Sequence, residues 1–127
     1  MRVFLKRILA FMPGSILAVL SSIEIEGEDQ KSLVLDADGW LIGFDKPSQI
    51  VSSSGKRVTP FASVETVDIE HFTNGRRFEW WTLSLRLQDG KKLPTGRSVD
   101  GSQVSIAAAH VGKLMGKSVR VTKKSGF

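Results

Sequence analysis

The chain has 127 residues, of which 41% are hydrophobic and 24% charged, a composition typical of one folded domain and not of a disordered segment. It has no cysteine, which excludes disulfides, thiolate metal sites and cysteine nucleophiles. The net charge of +5 is uneven: residues 1–70 carry 7 basic and 10 acidic side chains, and residues 71–127 carry 11 basic and 3 acidic ones. This cationic half predicts an anionic partner, unless it only provides solubility charge on strand edges and turns.

Residues 1–22 form an apolar N-terminal segment with a basic start. Arg2, Lys6 and Arg7 precede a run of 16 uncharged residues, 8–23. At about 1.5 Å per residue this run covers about 24 Å, which is short for a membrane-spanning helix. We expect packed or interfacial helices broken at Pro13-Gly14. A membrane anchor and an export signal are the alternatives.

Residues 23–122 are expected to form a single β-rich domain. The stretch from Ser32 to Phe44 reads as two strands around the turn Asp36-Ala37-Asp38-Gly39. Gln49-Ile50-Val51 predicts a short strand, and residues 52–57 predict a flexible polar loop. A further strand is expected over residues 64–72.

The clearest strand covers residues 81–87, where apolar and polar side chains alternate with a period of two. Asn74-Gly75 precedes this strand and Asp89-Gly90 follows it, and both dipeptides are strong hairpin signals. The sequence therefore predicts a three-stranded antiparallel meander.

The register of the first of these hairpins follows from which side chains must share a buried face. A two-residue loop at Asn74-Gly75 would place Ile69 on the opposite face from Leu83, which one buried face cannot accommodate. We therefore predict a three-residue loop or a β-bulge near Trp80, with Ile69 paired with Trp81. The same parity argument requires an odd shift at Asp89-Gly90.

A helix is expected after this meander. Asp100 or Ser102 can cap its N-terminus, and Gly116 suits the position after its C-terminus. Its apolar positions follow a period of 3.6 residues: Val104, Ala107, Ala108, Val111, Leu114 and Met115. A short strand over residues 118–122 and a loose basic tail over residues 123–127 complete the prediction.

Nothing in the sequence indicates catalysis. The two histidines, His71 and His110, show no metal-ligand spacing, and we expect them to be structural. No nucleophile–base set or pair of catalytic carboxylates is recognisable. We therefore expect a protein that is not an enzyme and that uses no metal or other cofactor.

The candidate binding residues are basic pairs at turns together with one tryptophan. Turns cluster at the ends of a β-sandwich or barrel, so these pairs could form one cationic rim. Trp80 should point away from the core face, where the N-terminal segment covers it or where it forms an exposed aromatic patch. We favour cover by helices formed from residues 3–20. The candidates are Lys56, Arg57, Arg76, Arg77, Trp80, Lys91 and Lys92.

The order of these features resembles the bacterial pleckstrin-homology-like families. The resemblance is carried by the hairpin at residues 33–42, the segment 58–69, the strand 82–87 with its Asp89-Gly90 turn, and the helix 102–115. It implies two near-orthogonal sheets, a helix closing one open end, and a binding or scaffolding role. We accordingly expect an α+β fold: a small antiparallel β-sandwich or partly open barrel of about six or seven strands with a C-terminal capping helix.

The expected function is that of a non-enzymatic interaction or scaffolding module, cytoplasmic or peripheral to the inner membrane, or part of a larger assembly. Its cationic half would meet a protein partner or an anionic membrane surface. Phosphoinositide-binding members of the wider superfamily carry basic residues in the first hairpin loop, where this chain has Asp36 and Asp38. The alternative is a nucleic-acid-binding small β-barrel protein, for which Trp80 and Phe78 are the candidate stacking aromatics.

Overall fold

A computed structural model describes residues 21–74 and 78–125. The expected N-terminal helices, and the candidate site residues Arg76 and Arg77, lie outside the described residues. Within them, nine strands form a five-stranded and a four-stranded sheet, with one α-helix near the C-terminus. This is the expected α+β fold with two or three more strands than predicted, and its sheets do not close into a barrel.

The first sheet is an antiparallel meander in which each strand pairs with the next along the chain. Its first strand was not predicted, although the Ile23-Glu24-Ile25-Glu26 alternation buries Ile23 and exposes both glutamates, as a half-buried edge strand requires. The strands are β1 (Ile23–Glu28), β2 (Ser32–Ala37), β3 (Trp40–Asp45), β4 (Ile50–Ser53) and β5 (Lys56–Pro60).

The prediction of a flexible polar loop over residues 52–57 is wrong. Ser53 pairs with Lys56, so β4 and β5 form a hairpin with a two-residue turn. The turn residues Ser54 and Gly55 have φ values of 52° and 82°. Positive φ at both central positions matches the right-handed twist of the flanking strands, and this geometry outweighs the loop-like composition.

The second sheet follows a single 3₁₀ turn at Phe61–Ser63. It consists of β6 (Val64–Asn74), β7 (Phe78–Leu87) and β8 (Lys92–Ser98), and then helix α1 (Gly101–Met115) returns the chain to β9 (Val119–Ser125). The strand order is β8-β7-β6-β9, and β9 lies parallel to β6.

The ends of helix α1 agree with the sequence prediction. The Asp100 carboxylate accepts a hydrogen bond from the Ser102 N–H at 2.9 Å, and Gly116 takes the left-handed conformation at φ 70°. The prediction of a loose tail from residue 123 is wrong for Lys123–Ser125, because β9 continues through Ser125 and pairs with β6 as far as Thr73. Backbone pairing along β6 orders these residues despite their polarity.

The β6–β7 hairpin has the predicted face parity but not the predicted pairs. Asn74 pairs with Phe78, which leaves a three-residue connection, as expected. Ile69 faces Leu83 and not Trp81, because the three-residue connection covers residues 75–77 and not residues 74–76, as the predicted pairs require. Parity follows from the need to bury one face, whereas the exact pair depends on where the turn closes.

Both sheets and helix α1 bury side chains in one shared core. The helix packs against β6 and β7 of the second sheet and against β1 and β2 of the first. Gly96 of β8 marks the close approach of the sheets, since a Cβ there would lie 2.8 Å from Ile23. The largest fully buried residues come from both sheets and from the 3₁₀ turn between them: Phe44, Phe61, Ile23, Leu33, Leu35, Leu83 and Leu85.

A candidate cationic face on the second sheet

The side of the second sheet that faces away from the shared core is polar yet partly buried. Alternation along β6 sends Val67 and Ile69 into the core and Asp68 and Glu70 to the opposite side. Asp68 is only 1% exposed and Glu70 9%. Carboxylates are rarely buried to this extent without partners, so their contacts define the candidate site.

Asp68 joins three strands of the sheet. Its Oδ2 accepts a hydrogen bond from Arg86 Nε of β7 at 3.0 Å and from Arg120 Nη2 of β9 at 3.2 Å. Its Oδ1 accepts one from the Thr66 hydroxyl at 2.6 Å. Both oxygens are therefore satisfied, which removes most of the cost of burying the charge.

The pKa of the Asp68 carboxyl reflects these contacts. Burial by itself raises this pKa, because it penalises the charged form. The hydrogen bonds from Thr66 and Arg86, together with the positive charges of the two guanidiniums, outweigh burial and hold the pKa below its ordinary value of 3.8. Asp68 is therefore a fixed negative charge at neutral pH.

Glu70 repeats the arrangement two residues along β6. Lys92 Nζ of β8 donates a hydrogen bond to Glu70 Oε1 at 2.6 Å, and Lys124 Nζ of β9 lies 3.6 Å from Oε2. The lysine side chains are 34% and 44% exposed. Each buried carboxylate thus holds one cation from the β7–β8 side and one from β9.

The four cations held in this way, Arg86, Lys92, Arg120 and Lys124, are called the cationic face below. Two carboxylates neutralise two of these four charges, so the face keeps a surplus of positive charge. The carboxylates also hold the cationic heads in place, which lowers the entropy cost of engaging a further anion. The same contacts anchor β9 to the sheet.

Aromatic rings occupy the other end of β6 and β7. Phe72 and Trp80 stack at 5.1 Å between ring centroids, and Phe78 lies 5.7 Å from Trp80. On the opposite face His71 stacks on Trp81 at 4.3 Å, and its Nε2 lies 2.7 Å from Glu79 Oε2. The Phe72, Trp80 and Phe78 rings thus continue the packed surface of this side of the sheet beyond its charged side chains.

The predicted site residues are distributed over both sheets. Lys92 belongs to the cationic face, and Lys91 lies exposed one residue earlier in the β7–β8 turn. Trp80 is 6% exposed on the same side of the sheet. Lys56 and Arg57 begin β5 in the first sheet, so they lie on a different sheet from the cationic face.

Sequence reasoning missed most of the cationic face. Asp68, Glu70, Arg86 and Arg120 were not singled out, although one signal was present: two acidic residues spaced by two in a strand predicted to bury its other face. Their partner on the far side, β9, could not be placed because a parallel strand after a helix leaves no local turn signal.

Histidine and acidic side chains in the described part of the chain do not converge as metal ligands would. No group of three or more such residues is found in residues 21–74 and 78–125. His110 instead contacts Glu28 of β1 through Nδ1 at 2.5 Å, and His71 contacts Glu79. Over the same residues, no helix is long and apolar enough to cross a membrane.

Comparison of the chain with protein-family models, with curated proteins and with solved structures finds no match.

Proposed function

We propose that this protein is a non-catalytic interaction module, membrane-proximal or part of a larger assembly, whose cationic face binds an anionic partner. The observation that carries the proposal is the two-to-one ratio of cations to buried carboxylates on the second sheet. A face built only to hold β9 in place would need no more than one cation for each carboxylate.

The exposure of the cations supports this function. The Arg120 side chain is 50% exposed and that of Lys124 44%, while the carboxylates beneath them are buried. An approaching anion therefore meets the positive heads first and the negative charges only through them. Such a surface attracts phosphate or carboxylate groups, with an affinity that falls as salt rises.

A pleckstrin-homology-like fold is part of the proposal, supported by the order of two antiparallel meanders, β1–β5 and β6–β8, followed by a packed helix. Lipid binding through a cationic first hairpin receives no support from this chain. Asp36 Oδ1 accepts a hydrogen bond from the Gly39 N–H at 2.6 Å, and Asp38 Oδ1 accepts one from the Ser22 N–H at 3.0 Å. Both carboxylates therefore bind backbone N–H groups at this turn.

Nucleic-acid binding is less well supported. Single strands usually stack their bases on exposed aromatic rings beside a basic groove. Trp80 is almost completely buried and Phe78 half-buried, so neither presents an open ring face beside the cations.

The test compares two charge-matched variants of the full chain. Arg120→Gln combined with Lys124→Gln removes two cations but leaves Arg86 on Asp68 and Lys92 on Glu70. Lys31→Gln combined with Lys46→Gln removes two exposed cations from turns of the first sheet. Binding is measured by sedimentation with phosphatidylglycerol vesicles, by gel shift with DNA and RNA, and by titration with polyglutamate.

We expect the first variant to bind its anionic probe at least about tenfold more weakly at low salt, since each surface Lys or Arg contributes about 1 kcal/mol to such binding. The control should bind like the parent protein. Equal losses in both variants, or no binding to any probe at low salt, would contradict the proposal. Binding to nucleic acid alone would favour the alternative function.

A further inference from the structure

Two tight turns lie side by side at one end of the first sheet. Asp38-Gly39 joins β2 to β3, and Ser54-Gly55 joins β4 to β5. All four residues have positive φ, between 52° and 88°. The Ser54 N–H donates a hydrogen bond to the Leu41 carbonyl at 2.7 Å, which fixes the second turn against the start of β3. The two hairpin tips therefore lie next to each other at this end of the sheet.

This end of the sheet exposes two large apolar side chains. Trp40 is 44% exposed and Leu41, the next residue, 43%. Farther along the same strand Phe44 is only 1% exposed, so the strand changes from core to surface as it approaches the tip. Successive strand residues point to opposite faces, so these two side chains lie on the two sides of the hairpin tip. Exposed apolar side chains of this size at one tip are typical of a contact surface.

Two exposed cations lie at the same end of the sheet, and the acids of its first turn accept hydrogen bonds from backbone N–H groups. Lys56 and Arg57 follow directly after the second turn and are exposed. Asp36 is buried, and its carboxylate binds the Gly39 N–H. Lys56 and Arg57 therefore give this end two exposed positive charges, alongside the exposed Glu24 of β1, which pairs with Asp36.

The chain enters the described part of the structure at the same end. Ser22 is hydrogen-bonded to Asp38 in the first turn, and Ser21 lines a groove together with Asp38, Trp40 and Arg97. The sequence that precedes Ser21 contains three basic residues and an uncharged apolar run. Basic and apolar residues are thus joined covalently to the end that exposes Trp40.

We propose that this end of the first sheet, defined by Trp40, Leu41, Lys56 and Arg57 and called the hairpin end, contacts the surface of an anionic lipid bilayer. Trp40 and Leu41 enter the boundary between headgroups and acyl chains, where tryptophan is favoured. Lys56 and Arg57 meet the lipid phosphates. These residues are separate from the cationic face, so this contact goes beyond the function proposed above and can fail independently of it.

The test uses the full chain and vesicles whose phosphatidylglycerol carries brominated acyl chains, which quench tryptophan fluorescence on contact. Of the three tryptophans, Trp40 is the exposed one, while Trp80 is buried and Trp81 half-buried. We expect strong quenching in the parent protein and loss of most of it in Trp40→Phe. Vesicles of phosphatidylcholine alone should produce little quenching.

Partition measurements test the same surface without fluorescence. Trp40→Ser combined with Leu41→Ser should weaken binding to phosphatidylglycerol vesicles by about tenfold or more, given the transfer free energy of two large apolar side chains. Lys56→Gln combined with Arg57→Gln should weaken it by about tenfold at low salt and by less at high salt. Ile106→Ser, at a helix residue that is 53% exposed, is the matched apolar control and should bind normally.

Two results would overturn the proposal. One is the absence of bromolipid quenching in the parent protein. The other is vesicle binding that both hairpin-end variants retain at the parent level, since another part of the chain would then hold the bilayer. If only the variant that combines Arg120→Gln with Lys124→Gln lost binding, the result would support the cationic face and reject the hairpin end.

Discussion

The two sheets share one core but differ in the sign and placement of their charged side chains. Residues 21–63, which contain the first sheet, carry seven acidic and four basic side chains, whereas residues 64–125 carry six acidic and eleven basic ones. In the first sheet the glutamates of β1 point to solvent. In the second sheet two acids of β6 are buried, and four cations from three strands surround them.

The difference shows what each sheet needs for its stability. The first sheet is a meander of short strands, and local turns are enough to specify its pairing. The second sheet includes a parallel strand that arrives after a helix, with no turn to fix it. We infer that the ion pairs from β9 to Asp68 and Glu70 supply part of that specification, in addition to backbone pairing.

The largest effect is expected when the charge of Asp68 in the second sheet is removed. Asp68→Asn leaves two guanidiniums beside a neutral amide. We expect a loss of about 3 kcal/mol in the free energy of unfolding. This value is at the low end for a broken buried ion pair, because both arginine side chains reach solvent. Urea denaturation measures it. Ser84→Ala is the control at the paired residue of β7, since its buried Oγ has no hydrogen-bond partner among the described residues. Its removal should be neutral or slightly stabilising, and an equal loss in both variants would contradict the role of the ion pairs.

An intermediate effect is expected where the two sheets meet. Gly96→Val places side-chain atoms against Ile23 and Ala37, because a Cβ at this position would lie 2.8 Å and 3.1 Å from them. We expect a loss of about 2 kcal/mol in the free energy of unfolding, as is usual for overpacking. Gly27→Val is the control, since a Cβ at Gly27 meets nothing within 4 Å. If Gly96→Val were as stable as this control, the sheets would not depend on close approach at β8.

The smallest expected effect is a dependence of stability on pH that comes mainly from the second sheet. The pKa of Asp68 is lowered in the folded protein, so the unfolded chain binds its proton first as pH falls. Its contribution to stability is complete above the unfolded value of about 4 and is lost as pH falls through the folded pKa. Thermal melting between pH 7 and pH 2 should show this loss, and it should be smaller in Asp68→Asn.

The first sheet contributes to the same profile through Asp29. Backbone N–H groups of Lys31 and Ser32 lower the pKa of this exposed carboxyl, so its contribution has the same sign. Asp29→Asn should flatten the acid limb less than Asp68→Asn does, because solvent screens an exposed carboxylate. The reverse order would place the acid sensitivity in the first sheet.

Much of the fold follows from local sequence. The alternation in β7, the Asp-Gly turns, the Asn-Gly hairpin signal and the 3.6-residue period of α1 specify the elements, because each depends on residues close together in the chain. Even the parity of the β6–β7 hairpin follows, since Val67 and Ile69 must share a buried face with Leu83 and Leu85. The loop-like composition of residues 52–57 misled the prediction because serine and glycine also suit a two-residue hairpin turn.

The tertiary structure alone decides where β9 lies and therefore which charges meet. Asp68 and Arg120 are 52 residues apart, and no local pattern joins a strand to a parallel neighbour beyond a helix. The hairpin end likewise requires β3 and β4 to pair before the Ser54 N–H meets the Leu41 carbonyl. The sequence determines the elements and their buried faces because these depend on neighbouring residues. The surfaces that carry the proposed functions arise from contacts between residues distant in the chain, and only the folded sheets bring those residues together.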